Sequence, residues 1–244
     1  AEVVDALVLA LAPHHADVAH ALSRCPDAGL VVVHMAAREH AGVIGRRALQ
    51  IAQLGEIADE MAFRGREALL VHVGRVVVDD YMGAYAAVTH LIDTGCKHIA
   101  FYGTKLTMEI GRNRYNGYRD ALLKHGMRPD DLLIRNCDNR ADAEAITPDI
   151  MSLSTPPDAF FAVNDDTAIG ILYSCKRMGY RVPEDISICG FTNGERAVAC
   201  EPMLTTVEQR GTRVGKEAAN ILIDQVEGAL PKDRVEKRVV RTRL

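Results

Sequence analysis

Tryptophan is absent from this chain of 244 residues, and tyrosine and phenylalanine bring the aromatic share to only 5%. A surface that reads single strands by stacking bases on rings is therefore poorly supplied. A basic excess is missing too: 29 lysines and arginines stand against 33 aspartates and glutamates, a formal net charge of -4, so the chain given carries no electrostatic footprint for wrapping a phosphate backbone. No apolar run reaches the roughly 18 residues that a membrane-spanning helix needs, and no charged, apolar and small-residue succession at the start marks a signal peptide. Cys25, Cys96, Cys137, Cys175, Cys189 and Cys200 form no CxxC pair. They read as small buried hydrophobes of a reducing compartment rather than as metal ligands. Low-complexity tracts, Gly/Ser linkers and internal repeats are lacking, so two lobes, if present, are joined by strands rather than by a tether.

Enzyme signatures are missing as well. GTRVGK at 211–216 has the glycine and lysine of a phosphate loop, but one residue too few separates the glycines and Glu217 stands where Ser or Thr is required. It reads as a helix start. GxSxG, GxGxxG and HExxH do not occur, and the histidines are scattered. The expectation is a non-enzyme with no catalytic residue, no metal and no cofactor.

What is present is a 48% hydrophobic chain in which strand and helix signals alternate. The clearest stretch is 157–190, a complete βαβ unit. Its apolar strand at 159–163 has the length of one buried on both faces. Asn164, Asp165, Asp166 and Thr167 supply cap and first-turn residues, and Ala168, Ile171, Leu172, Cys175 and Met178 recur at helical spacing until Gly179. A second strand at 186–189 ends at Gly190. Ligands of a parallel sheet bind outside the carboxyl ends of its strands, which here means Asn164 with Asp165 and Phe191 with Thr192.

Before this unit the pattern predicts a strand at 4–11, a helix at 14–24, a strand at 29–34, a helix at 45–63 and a strand at 67–73. A brief extended segment at 76–78 runs into a helix through Ala84, Ala87, Val88, Leu91 and Ile92, stopped by Gly95. A strand at 98–102, a loop at 104–111 and a helix with Arg112, Arg114 and Tyr115 in its first turns follow. A short strand at 132–135 and a helix at 141–153 come next, with Pro148 expected to kink or restart the helix. After the central unit come an extended 204–207, a helix through Val214, Ala218, Ile221, Leu222 and Val226, and a last strand at 235–240. Such alternation calls for an α/β fold with parallel sheets covered on both faces.

Five segments, HLIDTGCKHIAFYG (90–103), RYNGYRDAL (114–122), PDAFFAVNDDTAIG (157–170), VPEDISICGF (182–191) and EPMLTTVEQ (201–209), occur in an order that resembles the effector-binding core of the LacI/GalR family of bacterial transcriptional regulators. That fold is shared with periplasmic sugar-binding proteins (type I). The resemblance implies two Rossmann-like subdomains joined by three crossovers, with a small polar effector held in a cleft between them. One subdomain is expected from 1–78 with 209–234, the other from 79–208 with 235–244. The family's helix-turn-helix has no counterpart before Val3, so operator DNA is expected to be contacted through a domain outside this chain. The amino-side lobe departs from the family order, because a helix and strand at 45–73 stand where a short loop is usual. A homodimer, a cytoplasmic location and no membrane partner are also implied.

By the resemblance, Arg114 faces the effector, where its guanidinium offers up to five donors. Asn164 and Asp165 match a polar pair that follows the strand, although helix capping would explain them equally. Phe161 matches an aromatic that packs on the ligand, against its plain reading as core. Met108 lines the pocket or fills a gap. Thr192 stands where sugar-binding relatives commonly carry an aspartate; a neutral, shorter side chain there admits an anionic or less hydroxylated effector. Asp80 and Gln209, near crossovers, reach the site or stabilise the strands there. A periplasmic solute-binding protein of the same fold, and an enzyme on a doubly wound sheet, remain the alternative readings.

Overall fold

The computed structural model describes residues 75–226, 228–230 and 236–244. The elements expected at 4–73, and Cys25, lie outside them. Within them the chain divides into two compact units, one holding residues 79–209 and 241–244, the other the described parts of 1–78 and 210–240.

The first unit is built on five parallel strands in the order β3-β2-β4-β5-β6: β2 (Ile99–Gly103), β3 (Ile134–Asn136), β4 (Ala159–Ala162), β5 (Ser187–Thr192) and β6 (Thr205–Glu208). Register aligns Phe101 with Phe161, Phe161 with Cys189 and Phe191 with Val207. Strand side chains alternate between faces, so the three central strands β2, β4 and β5 contribute to two separate cores. Ile99, Phe101, Ala159, Phe161, Cys189 and Phe191 pack with α1 (Asp80–Asp93) and α2 (Glu109–Lys124). Ala100, Tyr102, Phe160, Ala162 and Ile188 pack with α3 (Arg140–Met151) and α4 (Asp165–Arg177) on the other side. Burial on both faces is why these strands read as unbroken apolar runs.

The helices start where local chemistry directs. Asn164 accepts the Thr167 N–H at 2.8 Å to cap α4, and Asn139 accepts the Asp142 N–H at 3.0 Å to cap α3. Lys176 and Arg177 occupy the last turn of α4, and Gly179, at φ 88°, turns the chain away. Each helix pair closes on a residue without a side chain. A Cβ on Gly117 of α2 would lie 2.4 Å from the Tyr81 carbonyl of α1, and one on Gly170 of α4 would lie 2.5 Å from the Arg140 carbonyl of α3.

Four details differ from the sequence expectation. Helix α3 is continuous through Pro148, and the Glu144 carbonyl that the proline cannot serve accepts a hydrogen bond from Ser174 of α4 at 3.4 Å. The loop before α2 is shorter than 104–111, the helix beginning at Glu109. A 3₁₀ turn (Asp131–Leu133), capped by Asp130, takes the place of the start of the strand expected at 132–135. A short helix, α5 (Glu195–Ala199), follows β5.

In the second unit β1 (Arg75–Val78) pairs in parallel with β7 (Lys237–Val240), and α6 (Gly211–Val226) packs against them. Arg238 of β7 reaches Glu217 at 3.2 Å and Asp224 at 3.0 Å. This ladder corrects the expected division of the tail: 237–240 belongs with β1, and only 241–244 returns to the first unit. There the Thr242 N–H donates to Asp79 Oδ1 at 2.6 Å, and Glu208 and Arg243 exchange backbone hydrogen bonds. No helix among the described residues is long and apolar enough to cross a membrane.

Candidate functional site

The carboxyl ends of β2, β4 and β5 bring most of the expected site residues to one edge of the sheet. Arg114, in the second turn of α2, is only 2% exposed. Its Nε and Nη2 donate to a single oxygen of Asp80, at 2.8 and 2.6 Å, and Nη1 donates to the Val163 carbonyl at the end of β4. The guanidinium carbon lies 3.6 Å from the centre of the Phe191 ring. Burial pulls the Arg114 pKa down, and the charge and hydrogen bonds of Asp80 oppose that pull. Asp80, the first residue of α1, thus binds Arg114 directly.

Asn164 is half-buried and both ends of its amide are engaged: Oδ1 caps α4, and Nδ2 donates to the Asp138 carbonyl at 2.8 Å. Asp165 is fully buried. Its Oδ1 accepts from Thr206 Oγ1 at 2.5 Å and its Oδ2 from the Gly194 N–H at 2.8 Å. The Thr206 hydroxyl in turn accepts the Asn193 N–H at 3.3 Å. Burial raises the Asp165 pKa, against hydrogen bonds from Thr206, Gly194 and Asn193 and the charge of Arg114. This carboxylate therefore holds the turn after β5 rather than facing outward.

Thr192, half-buried at the end of β5, lies at φ 133°, and Asn193 follows at φ 58°. A β-branched residue at such an angle is strained by about 1 to 3 kcal/mol, and the Asp165–Thr206 pair fixes the turn that contains it. The Thr192 carbonyl accepts the Gln209 N–H at 3.4 Å. Met108 stands at the N-cap position of α2 without a side-chain capping bond, and its sulfur lies 3.8 Å from Thr104 Oγ1. That hydroxyl also lies 2.8 Å from Asp138 Oδ2.

Phe161 takes its place in the core. It is 0% exposed, its ring centre 5.7 Å from that of Phe101 inside the core shared with α1 and α2. It shares that face of the sheet with Ala159.

Sequence reasoning passed over Asp138, Thr206 and the pairing of Asp80 with Arg114. The signal for Thr206 was in hand, since LTTVEQ ends a strand beside β5. Asp138 follows a strand too short to stand out. Among the described residues no cluster of His, Cys, Asp or Glu is arranged to hold a metal ion. The edge offers fixed hydrogen-bond donors and acceptors around one buried cation.

A family model described as Periplasmic binding protein-like domain matches residues 88–244. Among curated proteins, the HTH-type transcriptional repressor CytR of Escherichia coli (strain K12) is 35% identical over 154 residues, covering 63% of this chain and 45% of that protein. The HTH-type transcriptional regulator CelR of Thermobifida fusca is 33% identical over 157 residues, covering 64% and 46%. The chain thus spans about half the length of the curated relatives it matches. Among solved structures, a transcriptional regulator CelR-cellobiose complex superposes with a TM-score of 0.65 at 29% identity, over 74% of this chain and 55% of that one.

Proposed function

The chain belongs to the periplasmic binding protein-like domain family, with the effector-binding core of LacI/GalR regulators, and from that premise we propose that it senses a small polar metabolite on behalf of a transcriptional regulator. The observation that carries this reading is the buried Arg114 at the carboxyl edge of the five-stranded sheet. A guanidinium removed from water is costly unless it is paired and hydrogen-bonded; Asp80 and the Val163 carbonyl fix this one in place, at the edge where parallel sheets receive ligands.

In this reading Arg114, Asn164, Thr192 and Met108 border the effector, and Asp165 holds the Thr192 turn in place from behind. The cellobiose in the CelR complex supports an effector of hydroxylated character and modest size. The regulator names of the relatives favour this role over solute transport and over catalysis. The effector acts by binding one arrangement of the full-length regulator better than another, and a coupling of about 1 to 3 kcal/mol is the usual scale. Operator DNA is contacted by a segment outside this chain, the regulator works as a homodimer, and its place is the cytoplasm.

A thermal-shift screen tests the reading with cellobiose, monosaccharides, sugar phosphates, nucleobases and small carboxylates. A true effector at a hundredfold excess over its Kd stabilises the native protein by about 2.7 kcal/mol. That shift should shrink or vanish in Arg114→Gln. Equal shifts in both proteins would remove Arg114 from the site.

A further inference from the structure

The chain contains two Asn–Gly pairs, Asn116–Gly117 and Asn193–Gly194. In such a pair the following peptide nitrogen comes within reach of the asparagine side chain with little hindrance, because glycine has no Cβ to crowd the approach. The fold treats the two pairs differently. Asn116 stands in the middle of α2, where the Gly117 N–H belongs to the ladder of the helix itself and Gly117 is buried against the Tyr81 carbonyl of α1. Its peptide plane has no room to rotate.

Asn193 is exposed in the turn between β5 and α5 and borders an open hollow of about 390 Å³ with Thr206 and Glu208, so water reaches its side chain. What holds this pair is its backbone. The Asn193 N–H donates to Thr206 Oγ1 at 3.3 Å, the Gly194 N–H donates to Asp165 Oδ2 at 2.8 Å, and the Thr206 hydroxyl donates to the other oxygen of the fully buried Asp165. At φ 58° Asn193 lies in the left-handed region, where ψ is about +30 to +60°. A ring from the Gly194 nitrogen to Asn193 Cγ requires that nitrogen to eclipse Cβ, roughly half a turn away about the Cα–C bond. That rotation takes the Gly194 N–H off Asp165.

We propose that Asn193 is a latent site of spontaneous deamidation and that the hold of Asp165 and Thr206 on its turn sets the rate. The co-reactant is water, and reaction proceeds through local opening of the turn. In the opened turn the Gly194 nitrogen attacks Asn193 Cγ and gives up its proton to solvent. The new N–C bond forms as the bond from Cγ to the side-chain nitrogen breaks, and the departing nitrogen takes up a proton and leaves as ammonia. Water then opens the five-membered imide at either carbonyl, giving aspartate or isoaspartate with no change in oxidation state. Both products place a new carboxylate beside Thr192, in a turn already closed around the Asp165 carboxylate, and isoaspartate also lengthens the main chain by one carbon. This chemistry does not depend on the effector-binding reading.

The test incubates the folded protein, and the same chain unfolded in urea, in mildly alkaline buffer. Samples are digested with trypsin at mildly acid pH, where the reaction is slow, and mass spectrometry follows the one-dalton gain of an amide turned to an acid. Cleavage after arginine places Asn116 in peptide 115–119 and Asn193 in peptide 182–196, each as the only side-chain amide there. In urea the two should convert at similar rates. In the folded protein Asn193 should convert more slowly than in urea, yet at least tenfold faster than Asn116. Thr206→Val removes one end of the hold and should speed Asn193 several-fold while Asn116, which reports global unfolding, stays unchanged. The proposal is overturned if Asn116 keeps pace with Asn193 in the folded protein, if folded Asn193 converts as fast as in urea or not at all over ten half-lives of the urea sample, or if Thr206→Val leaves Asn193 unchanged or speeds both sites alike. Circular dichroism checks the fold; should Thr206→Val not fold, Asp165→Asn, which weakens the bond to Gly194 by removing its charge, takes its place, and should neither fold, the wild-type rates of the two peptides decide.

Discussion

Arg114 and Asp80 have side chains only 2% and 10% exposed, so neither charge has water to fall back on. Removing one partner should cost about 3 to 5 kcal/mol, because the other stays buried after losing the opposite charge it binds directly. Arg114→Gln and Asp80→Asn are each expected to lower the urea midpoint sharply, and the double variant should recover much of the loss. Additive losses would show that the two charges do not depend on each other. At the exposed end of the scale, Asp185 is held at about 2, below its ordinary 3.8, by the Arg181 side chain and then by the Arg181 N–H. Since the folded value lies below the unfolded one, this group stabilises the fold above 3.8 and loses that contribution as pH falls towards about 2. Asp185→Asn should flatten the acid limb of the stability profile in that window; an unchanged limb would mean the pair is not formed in solution.

At the level of elements, the helix starts were legible because their determinants are local: Asn164 caps three residues ahead. Pro148 shows the limit of such reading. The carbonyl it leaves without an N–H is met by a hydroxyl on another helix, which no local pattern contains. Ser174→Ala should therefore destabilise by about 1 kcal/mol. In a Pro148→Ala background, where the new N–H serves the Glu144 carbonyl, the same change should cost less. A loss of equal size in both backgrounds, measured by urea unfolding, would rule out the Ser174 role. Phe161 marks a second limit, since parity told that it alternates with Phe160 but not which helices cover each of the two faces.

On the scale of the whole molecule, chain segments far apart in sequence meet at the tail. Asp79, Glu208, Thr242 and Arg243 are joined by three hydrogen bonds. Deleting 241–244 should lower the stability of the 79–209 unit by about 1 kcal/mol for each bond lost, read as a lower urea midpoint; an unchanged midpoint would show the tail to be idle. The sequence by itself determined the α/β class and the order of the strands and longer helices from residue 75 onward, because alternation, capping and glycine stops act over a few neighbouring residues. It also singled out Arg114. Only the tertiary structure decided that Arg114 is answered by Asp80 from 34 positions away, that Asp165 braces a turn rather than facing outward, and that 237–240 completes the ladder of β1. Charge balance and strand pairing are sums over residues brought together by the fold, and such sums cannot be taken along the chain.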